Sequence, residues 1–102
     1  MIRRQVVLRP RAIADLEHLQ DWITQSAGPQ TAAAFVARIQ SHILGLDIAS
    51  ERGTSRDDIR PGVRILGFER KITIAFHVSD QRVTILRIFY GGRNWGRILL
   101  SD

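Results

Sequence analysis

The stretch from Val63 to Trp95 constrains this chain most. It reads VRILGF, ITIAFHV and VTILRIFYGGRNW, three apolar runs separated by short polar breaks. Runs of this length, rich in Ile, Val, Phe and Thr and bounded by charged turns, are strand signals rather than helix signals. The middle run alternates strictly, with Ile72, Ile74, Phe76 and Val78 on one face and Thr73, Ala75 and His77 on the other. In the third run Val83, Ile85 and Phe89 are expected to oppose Leu86, Ile88 and Tyr90. A strand apolar on both faces is covered on both. Helices cover one side of so small a sheet, so the other needs the tail (Ile98-Leu99-Leu100) or another chain.

The remaining residues supply that cover. Arg4 to Leu8 (RQVVL) reads as a strand that Arg9-Pro10 ends. From Pro10 to Ser26, Ala12, Leu16, Leu19 and Ile23 recur at helical spacing, joined by Ile13 and Trp22. Gly28-Pro29 stops this helix and starts another, predicted over Pro29 to Ala49, whose stripe is Ala32, Val36, Ile39, Ile43 and Leu46. A link this short makes the pair an antiparallel hairpin. Gly45 costs that helix about 1 kcal/mol relative to Ala, which suggests tight packing against it. Glu51 to Gly62 (ERGTSRDDIRPG) reads as a polar, charge-dense loop, either a solvated, mobile connection or one arranged on a partner. The expected fold is therefore α+β and a single domain over 1–102. Its order is strand, helix, helix and three-strand meander, with the helical hairpin on one face of a small, mainly antiparallel sheet.

Composition removes several kinds of chemistry. The chain has no cysteine, so disulfides, Cys-ligated zinc and thiol catalysis are out. The three histidines, His18, His42 and His77, lie on three different predicted elements and lack HxH or HxxxH spacing, which argues against a metal site. There is no GxSxG elbow or phosphate loop, and Gly91-Gly92 is too short to cradle a nucleotide. Neither a cofactor nor a metal is expected. The only apolar run near the start, Val6-Val7-Leu8, is far too short for a leader or a membrane span, so a cytoplasmic protein is expected. Net charge is +5, from 15 Lys and Arg against 10 Asp and Glu. Lys71 is the one lysine, and arginine's planar fork suits phosphates and carboxylates. An acidic protein or a nucleic acid fits that balance.

One catalytic option survives, metal-free RNA cleavage. It needs a proton acceptor for a ribose hydroxyl, cations for the phosphate and an acid for the leaving oxygen. Arg64, His77, Arg87, Tyr90 and Arg93 are the right types on or beside the meander. However, Arg87 is expected on the face of Val83, Ile85 and Phe89, and Tyr90 on the other. Arg87 reads better as an anchor for the tail or a partner, its stem packed on apolar neighbours.

The order strand, helix, helix, three strands resembles the RelE/ParE superfamily of type II toxins, as does the run Leu86-Arg87-Ile88-Phe89-Tyr90-Gly91-Gly92-Arg93-Asn94-Trp95. The ParE branch typically ends its last long strand with leucine, arginine and a hydrophobic pair, then histidine, glycine, a small residue, arginine and an acidic residue. Tyr90 stands where histidine is common and Asn94 where aspartate is usual; Gly91, Gly92 and Arg93 match. Arg9-Pro10-Arg11-Ala12 through Asp15-Leu16 is similar to the family's helix opening, with Arg9 where a capping Ser or Thr is commoner. Glu69-Arg70 replaces the usual Gly-Arg of the hairpin turn. The resemblance spans nearly the whole chain. It implies the toxin of a type II toxin–antitoxin (plasmid stabilisation) pair, neutralised by a cognate ParD-like antitoxin and inhibiting DNA gyrase by protein contact through Tyr90, Arg93, Asn94 and Trp95. The alternative within the superfamily is a ribosome-dependent messenger endoribonuclease of the RelE type, using Arg64, Arg87, Tyr90 and Arg93. A non-catalytic basic nucleic-acid-binding module is a third reading, weakened because Phe68, Phe76 and Phe89 fall in core positions instead of forming a stacking platform. Direct nucleic-acid contact is thus a secondary expectation.

Overall fold

The computed structural model describes residues 3–91 and 94–101. Strand β1 (Gln5–Leu8) leads into helix α1 (Pro10–Ala27), followed by α2 (Pro29–Leu44) and a single 3-10 turn (Gly45–Asp47). Then come β2 (Thr54–Ser55), β3 (Val63–Phe68), β4 (Ile72–Val78), β5 (Arg82–Tyr90) and a short helix α3 (Trp95–Ser101). The strands form one sheet in the order β1-β5-β4-β3-β2. Among the described residues only the β1–β5 pair is parallel, its strands separated by the two helices and three other strands. The α+β architecture read from the sequence is the one observed.

The helices form where the apolar stripes placed them. Pro10 and Pro29 occupy first-turn positions, where a missing N–H costs nothing. Gly28, with φ of 95°, makes the reversal between the helices, a conformation open to glycine and strained for other residues. Helix α2 stops at Leu44 and not at Ala49, because the chain tightens into the 3-10 turn at Gly45. A Cβ at Gly45 would meet nothing, so that glycine ends a helix and does not admit a close neighbour.

Two cores sit on the two sides of the sheet. The larger packs Ala12, Leu16, Leu19 and Ile23 of α1 and Ala32, Val36, Ile39 and Ile43 of α2 against Ile72, Ile74, Phe76, Val83, Ile85 and Ile88. The smaller gathers Val63, Ala75, Leu86 and Phe89 under Leu99 of α3. The tail thus covers the second face, and it does so as a helix.

The expected faces of β5 need one correction. Phe76 pairs with Ile85 and Ala75 with Arg87, leaving Leu86 as an extra residue in a β-bulge. Past that point the alternation resets. Ile88 and Tyr90 join Val83 and Ile85 on the helix side, and Phe89 joins Leu86 on the tail side. Arg87, expected with Val83, Ile85 and Phe89, stays with Phe89, its guanidinium 5.0 Å from that ring centre, and parts from Val83 and Ile85.

The connection from Glu51 to Gly62 is also more tightly held than its composition suggested. Thr54 and Ser55 pair with Ile65 and Arg64 as an edge strand. The Arg56 N–H donates to the Val63 carbonyl at 2.8 Å, and the Gly62 N–H donates to the Asp57 carboxylate at 2.9 Å.

Candidate functional site

Strand β1 is shorter than its neighbour. Its four residues lie opposite Arg82 to Ile85, and the Arg9 N–H closes the pairing on the Ile85 carbonyl at 3.0 Å. Beyond that row the chain has turned up into α1, and among the described residues no strand lies beside the edge of β5 from Leu86 to Tyr90. Backbone groups left there need partners. Asp15, one and a half turns into α1, supplies one. Its Oδ2 accepts the Ile88 N–H at 2.8 Å. The same carboxylate takes a side-on fork from Arg87, Nε at 2.8 Å and Nη2 at 2.9 Å. Arg87 is therefore an anchor to α1. Both side chains are nearly sealed, at 12% and 10% exposure. That geometry fixes the bulged half of β5 against the helix.

A cleft of about 280 Å³ opens just beyond, lined by Asp15, His18, Leu19, Trp22, Ile88 and Tyr90. Trp22 and Tyr90 pack with ring centres 4.8 Å apart at an angle of 53°. Trp22 nevertheless remains half exposed (50%), an unusual position for the largest side chain of the hairpin. Asp15, His18, Leu19 and Trp22 share one helix face through i, i+3, i+4 and i+7 spacing. The sequence reading placed Trp22 in the core stripe and Asp15 outside it, and so missed the face they share.

The residues named for RNA cleavage do not meet. Arg64 turns to the loop and donates to the carbonyls of Arg52 (2.9 Å), Glu51 (3.1 Å) and Gly53 (3.3 Å). Arg87 is committed to Asp15. Tyr90 shares a row with Ile72 and Phe68, four residues along β3 from Arg64. Four residues and two strand spacings put Tyr90 and Arg64 about 15 Å apart. His77, on β4, faces the tail side near Pro61 and Thr84. Arg93 lies outside the described residues. Among the described residues no three His, Asp or Glu side chains are placed to hold a metal ion.

The residues named for partner contact divide between the two faces. Tyr90 is on the helix side with Trp22. Trp95 packs into the smaller core under the Arg56 guanidinium, 5.1 Å from its ring centre. Asn94 is exposed between them, and its side-chain oxygen accepts the Arg97 N–H at 3.4 Å at the start of α3. Two further arginine forks brace the surface. Arg56 forks onto Asp58 with both bonds at 2.8 Å, and Arg38 onto Glu69 at 2.9 and 3.2 Å. In each case the arginine's hydrogen bonds hold the carboxyl below its ordinary pKa. Glu69 and Arg70 take positive φ (49° and 65°) in the β3–β4 turn. Glycine adopts such angles without strain, so the Arg38 bond steadies a turn that this sequence builds from less suitable residues.

Comparison with known proteins is consistent across sequence and structure. Residues 6–95 match the family model described as the ParE toxin of the type II toxin–antitoxin system parDE. Toxin ParE3 of Caulobacter vibrioides is 29% identical over 89 residues, covering 86% of this chain and 88% of that protein. A solved chain described as the chromosomal ParDE TA system from P. aeruginosa superposes with a TM-score of 0.77. It is 28% identical, over 88% of this chain and 98% of that one.

Proposed function

Since this chain belongs to the ParE toxin family of type II toxin–antitoxin systems, we propose that it acts in the cytoplasm by protein contact on DNA gyrase and that a cognate ParD-like antitoxin neutralises it. The observation that carries the choice of a contact mechanism is the dispersal of the cleavage residues. Arg64 is tied to loop carbonyls, Arg87 to Asp15, and Tyr90 sits against Trp22 about 15 Å from Arg64. Catalysis of phosphodiester cleavage needs cations and a proton carrier within hydrogen-bond reach of one phosphate. A contact poison needs only a shaped surface. Tyr90 with Trp22 on the helix side is assigned to such a surface, and Asn94 and Trp95 at the start of α3, with Arg93, to a second contact region. A half-exposed aromatic pair beside an open strand edge is the kind of anchor on which partner segments concentrate binding energy.

The test is inducible expression followed by two assays. Purified gyrase is examined for lost supercoiling and trapped DNA breaks, and ribosome-bound messenger for A-site cleavage. The proposal expects an effect on gyrase with messenger intact. Cleaved messenger with gyrase untouched overturns it in favour of the RelE-type reading. Arg93→Ala is expected to relieve growth arrest without lowering the melting temperature; unchanged toxicity in that folded variant removes the end of β5 from the effector surface.

A further inference from the structure

Helix α2 carries two stripes. Ala32, Val36, Ile39 and Ile43 face the core and are buried. At the same alternation of three and four residues, Gln30, Ala34, Ala37, Ser41 and Leu44 fall on the opposite side, and all of them are exposed. Leu44 is 61% exposed, and Ile48, which continues the spacing just past the 3-10 turn, is 41% exposed. The outer side of a surface helix ordinarily carries its charges. That of α1 does, with Glu17 and Asp21 opposite its buried stripe. That of α2 carries none, although the chain as a whole is 25% charged with a net charge of +5. Arg38 lies on the flank of α2 and is already forked onto Glu69. Single exposed apolar residues need no explanation. An outward face without charge, its two largest residues at one end, does. Two such helices crossing antiparallel about a two-fold axis level with Ile39 set Leu44 over Ala34, Ser41 over Ala37 and Ile48 over Gln30. Each bulky residue then meets a smaller or more flexible one, and the match is reciprocal, as a two-fold interface requires. Small side chains at the crossing let the helix axes approach to about 8 Å.

We propose that this face pairs two copies of the chain as an antiparallel α2–α2 dimer. Charge selects the occupant. Copies at +5 repel one another wherever their arginines meet, so an uncharged face is where they can touch. A charged segment of another protein would find no opposite charge on it. The contact is small. The 16 residues of α2 make a strip about 24 Å long and about 10 Å wide, well below the roughly 800 Å² per partner of a stable complex. The dimer is therefore weak and reversible, with a Kd expected between about 10 µM and about 1 mM. The pairing is independent of the toxin reading.

Sedimentation equilibrium on the full chain, from about 10 µM to about 1 mM, reads the pairing directly. The weight-average mass is expected to rise from monomer towards dimer across that range. Ala37→Glu, at an exposed helix position that tolerates glutamate, is expected to weaken the association by about tenfold or more while leaving the melting temperature in place. Leu44→Gln, which removes the apolar anchor without adding charge, is a second variant expected to weaken it. Gln25→Glu makes the same change in charge at an exposed position of α1 and should leave the association as it was. A mixture of Ala37→Glu and Ser41→Lys chains is expected to associate more tightly than either alone, because the two-fold sets those positions together. A mass that stays at the monomer value throughout overturns the proposal. Equal weakening by Ala37→Glu and Gln25→Glu overturns it too, since that marks diffuse attraction. So does a dimer that Ala37→Glu and Leu44→Gln leave intact, which uses another surface. A mixture no tighter than its components refutes the antiparallel register and the pairing with it.

Discussion

Removing the Asp15 carboxylate should unfold this protein far more readily than its helix-surface position suggests. Three hydrogen bonds converge on that group, two from Arg87 and one from the Ile88 N–H, all between 2.8 and 2.9 Å. Asp15→Ala takes the carboxylate from a guanidinium that is only 12% exposed and leaves the Ile88 N–H without its acceptor. Breaking a buried pair by deleting one partner costs about 3–5 kcal/mol, and slight solvent access here favours the lower end. A domain of this size has about 5–15 kcal/mol in total. A loss of about 3 kcal/mol lowers the melting temperature by about 15 °C. Asp15→Asn keeps one acceptor and should lose about half as much. The double variant Asp15→Leu with Arg87→Leu removes both charges and leaves chiefly the Ile88 N–H unmet. It should therefore cost about 1–2 kcal/mol, well below the sum of the single changes. Urea unfolding followed by circular dichroism measures each midpoint at constant slope. The reasoning fails if Asp15→Ala costs under about 1 kcal/mol, the range of a surface ion pair. Strict additivity of the two sites would refute it as well.

Other outcomes follow from the same structure. Leu99 is 1% exposed and its neighbour Leu100 is 68% exposed. Leu99→Ala should cost about 2–5 kcal/mol in urea unfolding, whereas Leu100→Ala should stay within about 0.5 kcal/mol. Gly53 has φ of 75°, and a Cβ there would strike the Ile65 carbonyl on paired strand β3. Gly53→Ala should therefore cost at least about 2 kcal/mol in thermal unfolding, and an unchanged midpoint would show that the β2 edge is free to move. The Glu69 carboxyl is held below its ordinary pKa by Arg38. A carboxyl held low in the folded state contributes stability above its unfolded pKa and loses it as pH falls through the folded value. Side-chain NMR should find Glu69 titrating at higher pH in Arg38→Gln than in the unaltered protein, with the difference shrinking at high salt.

Much of the scaffold was legible because its signals are local. Strict alternation from Ile72 to Val78 assigned that strand's faces correctly, since successive side chains along a strand point to opposite sides whatever lies beyond. Pro10, Gly28 and Pro29 marked the helix boundaries through their own backbone restrictions. The need for cover on the second face was legible too, from a strand apolar on both sides. That Trp95 to Ser101 would meet it as a helix was not, because seven residues form a stable helix only when packed.

The stretch from Leu86 to Tyr90 shows where local reading stops. A bulge is set by how two strands register, so nothing within VTILRIFY announces that Leu86 is the extra residue. One added residue reverses every face after it, which sends Tyr90 to Trp22 and Phe89 to the tail. Likewise the sequence supplied an abundance of arginines, but not which of them would find a carboxylate. Arg38, Arg56 and Arg87 did, whereas the Nε and Nη2 of Arg60 lie buried with no acceptor among the described residues. Periodicity and turn chemistry act over a few residues and are written in the sequence. Pairing of charges across 72 positions, as between Asp15 and Arg87, exists only once the elements have packed.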